Sequence, residues 1–254
     1  MGILLEKIAR TGKAAAPRLG FGMAQSERRA AMLLIAVTTA AEPAAAAAAV
    51  ASGADAILVK QAPAKPSKSR LADQLKLPAG TPCGAHANAN GSDPSTCDFA
   101  VLELADSIAT LQSTDGLDRI LRLPADISSA TLRTLEALPV DAFALAAPGE
   151  PLNIERLLPF YRVSAATRKP LLTWISSTAN RDTLIALRDA GVSGVLVEAT
   201  PKQLAALHEI LLALPARKHR GEGSRPSVKL GLPPYNEPAP AADDDGDDDE
   251  DEEG

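Results

Sequence analysis

Several short apolar runs in this chain end in a residue able to do chemistry. "GADAILVK" (53–60) closes on Lys60, and "PCGAHA" (82–87) carries His86 near its end. "DFAVLEL" (98–104) carries Glu103, and "DRILRLPA" (118–125) is followed by Asp126. "PLLTWISS" (170–177) ends in Ser176 and Ser177, and "VSGVLVEA" (192–199) holds Glu198 near its end. A buried lysine beside carboxylates can have a lowered pKa and act as nucleophile or base. Glu103 or Glu198 can be its acid–base partner. Lys60, Glu103, Glu198, Asp126 and His86 are the candidate catalytic residues. Ser176, Ser177, Thr178 and Thr200, at and just after the ends of the last two strands, are the candidate substrate-binding residues.

Each has a structural alternative. Lys60 can mark the place where a strand meets water, and His86 can be a solvated loop histidine. Glu103 and Glu198 can pair with Lys60 or Arg122 in a structural network. Asp126, just before "ISSATL", can belong to a helix cap. His208 falls beside a Leu204, Leu207, Leu211, Leu214 stripe and is expected to pack.

These residues need elements to position them, and the chain supplies a repeating unit. Strands are expected at 31–39, 55–60, 82–87, 98–104, 118–125, 140–146, 170–177 and 192–199. Helices are expected at 42–53, 69–77, 128–138, 153–168, 180–191 and 200–218, with a short one after the fourth strand. Pro43 and Pro201 stand at helix starts and Gly53 and Gly191 at helix ends, the usual asymmetry. Pro159 is expected to interrupt its helix or delay its start. The strands are apolar on both faces, as in a parallel sheet covered all round. Eight such units predict one (β/α)8 barrel, irregular around strands three and four, where 78–117 is rich in turn residues. An open doubly wound sheet is the alternative, but "VTTAAEPA" after the first strand lacks the glycine-rich loop that fold uses. Active sites of such barrels lie at the carboxyl ends of the strands, where the candidate residues fall.

The expected domains are an N-terminal helix and lead-in (1–30), the barrel (31–218), a Pro/Gly-rich linker (219–242) and an acidic tail (243–254). In the first helix Ile3, Leu4 and Ile8 share one side. Apolar residues make up 46% of the 254-residue chain and aromatics 3%, so the core must be aliphatic. The one tryptophan is Trp174. Nucleic-acid recognition by stacking needs more aromatics than this, so no such partner is expected. Ten acidic residues in 243–253 set the sign of the net charge, which is −6 with them and +4 without them. So dense a run of like charge is expected to be disordered. Cys83 and Cys97 fit neither a disulfide framework nor a zinc signature, and are read as reduced cytosolic thiols, with a bridge between neighbouring strands as the alternative. "MGILLEKIAR" reads as no secretory leader. The 30–51 segment is long enough to cross a bilayer, but Glu42 and Pro43 in it favour a strand and a helix. A cytoplasmic protein with no membrane partner and no cofactor is expected. A metal on Glu103, Asp126 and Glu198 is conceivable chemically, but no spacing demands one.

"GADAILVK" and "LIALRDAGVSGVLVEAT" resemble the aldolase-type barrel superfamily that includes the phosphate-binding synthases of tryptophan and thiamine biosynthesis. The resemblance implies a lyase, isomerase or synthase acting on a small carbonyl or phosphorylated metabolite at the rim. Those enzymes hold phosphate with glycine-rich turns after strands seven and eight. Here the turns read "SSTANRD" and "EATPKQ", without glycine, so no catalytic residue is carried over. A second function class therefore stands beside the first: a non-catalytic barrel used for binding or scaffolding, its acidic tail engaging a basic protein. In a third reading the tail lies on Arg18, Arg28 or Arg29 of its own chain as a mimic of an acidic ligand.

Overall fold

The computed structural model describes residues 2–11, 30–39, 42–60, 69–87, 96–146 and 148–215. Eight parallel strands close into a barrel in sequence order: β1 Leu33–Thr38, β2 Ala56–Val59, β3 Cys83–His86, β4 Phe99–Glu103, β5 Asp118–Leu123, β6 Ala142–Leu145, β7 Leu171–Ile175 and β8 Val192–Val197. The helices among the described residues are α1 Ile3–Arg10, α2 Pro43–Ala51, α3 Leu71–Gln74, α4 Ile108–Ser113, α5 Ser129–Glu136, α6 Ile154–Ala166, α7 Arg181–Asp189 and α8 Pro201–Ala213. All eight expected strands form, each somewhat shorter than expected. Between β3 and β4 no helix stands among the described residues, in keeping with the irregularity expected there. The barrel lies within Met1–Arg217. The linker, the acidic tail, Arg18, Arg28 and Arg29 fall outside the described residues.

Period-two alternation divides the strand residues into two cores. Inside the barrel, Leu33, Ile35 and Val37 of β1 meet Leu58, Phe99, Val101, Ile120, Ala144, Leu172 and Leu196. The odd-even partners, such as Leu34, Ile57, Phe143, Val195 and Val197, face the helices in an outer layer. Gly84 of β3 faces inward, and the Phe99 ring fills the space its missing side chain leaves. One phenylalanine thus fills the inward position that Gly84 leaves empty.

The amino end of the barrel is closed by α1. Leu4, Leu5 and Ile8 are buried in the inner core, while Ile3 is partly exposed, so the apolar side is one residue rotated from the expected one. The helix start is held by Asp118 at the first position of β5. Its carboxylate accepts from the N–H groups of Gly2 (2.9 Å), Leu4 (3.0 Å) and Leu5 (3.2 Å). These are donors that a helix start leaves without partners.

Three of the four even strands share another device. Asp55, Asp98 and Asp141 stand just before β2, β4 and β6. Their carboxylates accept from the backbone N–H of Leu34 (2.9 Å), Cys83 (2.9 Å) and Arg119 (2.8 Å) in the preceding strand. Their own N–H groups donate to the carbonyls of the same three residues. The recurring Asp of "ADAILV", "CDFAVL" and "VDAFAL" thus completes the ladder where each strand pair begins.

Three helices depart from expectation. α3 spans only Leu71–Gln74 rather than 69–77. α6 runs without a break through Pro159. Asn153 caps the helix through Arg156 N–H at 2.9 Å, and the bond that Pro159 forfeits is to Glu155, an exposed carbonyl near the helix start that water can satisfy. α8 ends at Ala213, just before Pro215. Its His208 packs, as expected, over Gly53, whose φ of +95° ends α2 and leaves no room for a side chain under the imidazole. No helix among the described residues is long and apolar enough to cross a membrane. Cys83 and Cys97 are both buried, and no disulfide joins them. Burial, followed by the neighbouring Cys97 and Asp98, pushes the Cys83 thiol far above its ordinary value.

Candidate functional site at the barrel mouth

The inward series of each strand, followed two residues further, arrives at the mouth. Ala56 and Leu58 lead to Lys60, Gly84 to His86, and Phe99 and Val101 to Glu103. Ile120 leads to Arg122, Leu172 to Trp174 and Leu196 to Glu198. Alternation therefore gathers one lysine, one histidine, one arginine, one tryptophan and two glutamates around the axis at the carboxyl ends of six strands.

Lys60 Nζ forms an ion pair with Glu198 Oε1. β2 and β8 are both neighbours of β1 rather than of each other, so they lie about 10 Å apart. Lysine and glutamate are long enough to meet over the end of β1. The lysine is not buried, as in the alternative where the strand meets water; its side chain is 42% exposed and that of Glu198 50%. β2 ends at Val59, and Lys60 already stands at the solvent surface of the mouth. Glu103 and Arg122 are direct neighbours in the β4–β5 register, and Arg122 Nη1 donates to Glu103 Oε1 at 3.0 Å. The Glu103 backbone is fixed in turn by its N–H donating to Asp106 Oδ2 at 2.8 Å. Arg122 lies over the Trp174 ring, with its guanidinium carbon 5.0 Å from the ring centroid.

His86 is half-buried at the end of β3, within electrostatic reach of Glu103, Arg122, Lys60 and Asp106. Burial, the largest cause, lowers its pKa; Glu103 opposes and Arg122 and Lys60 assist. A neutral imidazole beside a carboxylate can accept a proton near neutral pH. The mouth thus combines an amine, a proton acceptor, a guanidinium and two carboxylates.

The remaining candidates lie apart from this cluster. Asp126 is exposed in the turn after β5, and α5 is capped by Ser128, whose Oγ accepts from Thr131 N–H at 3.0 Å. The hydroxyls proposed for substrate binding are engaged locally. Ser176 and Thr178 bond each other at 2.7 Å, and Thr200 forms a capping box with Gln203. Gln203 also donates to Ser177 Oγ at 3.1 Å, tying the turns after β7 and β8 together. Ser176 and Thr178 border a cleft of about 850 Å³ between the 148–157 segment and α7. None of Lys60, His86, Glu103, Arg122 or Glu198 lines that cleft, so this space and the densest chemistry are in different places. A smaller cavity of about 380 Å³ lies between α2 and α8, bordered by Thr38 and Glu42. Thr38 Oγ1 is buried there without a partner among the described residues. No group of three or more His, Cys, Asp or Glu side chains suited to a metal occurs among the described residues.

Arg122 and Trp174 were missed as site residues. The signal was present: each is the inward-parity residue at the top of its strand, two beyond a buried one. Arg122, a charge set between the apolar Leu121 and Leu123, was the visible mark.

No protein-family model matches the chain, and no curated protein matches it in sequence. Solved structures do match its fold. A tryptophan synthase alpha-subunit from Pyrococcus furiosus superposes with a TM-score of 0.55 at 12% identity, covering 73% of this chain and 99% of that one. Tryptophan synthase from Mycobacterium tuberculosis gives 0.51 at 16% identity, covering 72% and 92%. Thiamine phosphate pyrophosphorylase from P. furiosus gives 0.50 at 13%, covering 71% and 95%. The chain is a TIM barrel similar in fold to these.

Proposed function

We propose that this protein is a barrel enzyme acting on a small carbonyl or phosphorylated metabolite at the mouth, in the manner of a lyase, isomerase or synthase. The observation that carries the reading is the convergence of Lys60, His86, Glu103 and Glu198 on the inward face at the carboxyl ends of the strands, where barrels of this kind do their chemistry. The solved structures similar in fold are themselves named as enzymes, which favours a catalytic role.

Lys60 acts as the amine. It passes its proton to Glu198 and attacks the substrate carbonyl carbon, forming a C–N bond. The carbonyl oxygen departs as water after taking up two protons, leaving an iminium that withdraws electrons from the adjacent carbon. His86, beside Glu103, accepts the proton released there. The second reading, a non-catalytic binding or scaffold barrel whose acidic tail holds a basic partner, is favoured by one observation. The hydroxyls after β7 and β8 are engaged in local caps rather than facing a ligand.

Borohydride trapping with a panel of carbonyl metabolites separates the two. Covalent labelling that vanishes in Lys60→Ala is expected. Absence of labelling, together with no thermal stabilisation by any carbonyl or phosphorylated metabolite, would move the protein to the scaffold class.

A further inference from the structure

The turns that hold phosphate in similar barrels have no glycine here, and their hydroxyls are engaged with one another. The Lys60 ammonium is engaged by Glu198. The second cation of the mouth, Arg122, keeps a whole edge of its planar fork unused among the described residues. A guanidinium has five N–H groups in a planar fork. Among the described residues Arg122 makes a single hydrogen bond, from Nη1 to Glu103 at 3.0 Å. Its Nε–Nη2 edge has no partner among the described residues, and its side chain is 42% exposed.

Trp174 and Glu103 fix the orientation of this group. The ring lies 5.0 Å from the guanidinium carbon and packs on the inner core below. The carboxylate holds one end of the fork, so the guanidinium loses little freedom when a ligand meets its other edge. Two parallel N–H donors match the two oxygens of a carboxylate or phosphate.

We propose that Arg122, held between Trp174 and Glu103, is the oxyanion-binding residue of the mouth and takes the carboxylate or phosphate of the substrate. The inference rests on the enzymatic reading only in treating the mouth as the substrate site. It makes the substrate a small acid or phosphate ester that carries its carbonyl on the same side of the barrel as Lys60. Trp174 is a positioning residue, acting through Arg122.

The test uses the only tryptophan of the chain. Trp174 fluorescence of the full-length protein is titrated separately with inorganic phosphate and with pyruvate, and with sodium chloride at matched ionic strength. A saturable change with phosphate, pyruvate or both, absent with chloride, is expected, and the arm that saturates identifies the anion. Arg122→Gln keeps the reporter and should weaken binding about tenfold or more, the effect of losing two charge-assisted hydrogen bonds. Arg122→Lys keeps the charge without the fork and should fall between the two. By calorimetry, Trp174→Phe should bind within a few-fold of wild type and Trp174→Leu more weakly.

Absence of saturation with either anion would overturn the proposal. So would a folded Arg122→Gln or Arg122→Lys protein that titrates like the wild type. Phosphate has no carbonyl to trap, so the outcomes separate. Arg122-dependent phosphate binding without borohydride labelling would keep this site and remove the Schiff-base reaction. Labelling with undiminished affinity in Arg122→Gln would do the reverse.

Discussion

The two ends of the barrel use the same functional group in opposite ways. At the amino ends, Asp55, Asp98, Asp118 and Asp141 hold backbone N–H groups. At the carboxyl ends, Glu103 and Glu198 hold the side chains of Arg122 and Lys60. A backbone donor is fixed by the fold, so a carboxylate bound to it is part of the scaffold. A side-chain cation presents its remaining donors to the mouth, so a carboxylate bound to it orients a group that can meet a ligand. The difference teaches where this molecule keeps its stability and where it keeps its reactivity.

The largest effect should come from breaking the scaffold end. Asp118→Ala leaves three N–H groups at the start of α1 without their acceptor and loosens the buried Leu4, Leu5 and Ile8. A loss of about 3 kcal/mol is expected, read as a lower denaturant midpoint. Asp118→Asn, which keeps one acceptor oxygen, should lose less. A near-neutral Asp118→Ala would erase the distinction between the ends.

The ends should also respond oppositely to pH. Burial, outweighing the backbone hydrogen bonds, raises the pKa of Asp55 and Asp118 above 3.8. The folded protein then keeps protons that the unfolded chain releases. Their contribution to stability is fullest below 3.8 and is lost as pH rises through the folded values. His86 behaves in the other sense. Burial lowers its pKa below 6.5, so the unfolded chain takes up a proton that the folded one does not. Its contribution is fullest above 6.5 and is lost as pH falls toward the folded value. Denaturant midpoints measured against pH should therefore flatten just below 6.5 in His86→Gln and just above 3.8 in Asp118→Asn. An unchanged profile in either variant would count against the assigned environment.

The smallest stability effect should come from the mouth. Glu198→Gln removes the partner of a half-exposed lysine, and exposed pairs contribute about 0–1 kcal/mol. Its midpoint should stay close to wild type while borohydride labelling falls. A loss as large as that of Asp118→Ala would make Glu198 a scaffold residue.

Much of this was legible in the sequence. Each strand's apolar run and each helix cap is local, so eight βα-type units could be counted before any contact was known. Lys60, His86, Glu103 and Glu198 stood out because a charge or imidazole closing an apolar run is visible in one dimension. Asp126 stood out for the same reason; it is exposed in the turn that follows β5. Arg122 was seen only as a pairing partner and Trp174 only as a count, since their importance depends on which face of the strand points to the axis. The roles of Asp55, Asp98 and Asp141 were hidden because their partners lie 15 to 22 positions away.

By itself, then, the sequence determined the elements, their number and the residues that end them, because periodicity and capping are properties of neighbouring residues. Only the tertiary structure decided that β2 and β8 flank β1, that Lys60 reaches Glu198 across it, and that Arg122 rests on Trp174. Barrel closure and register bring together strands far apart in the chain, and no local pattern specifies that meeting.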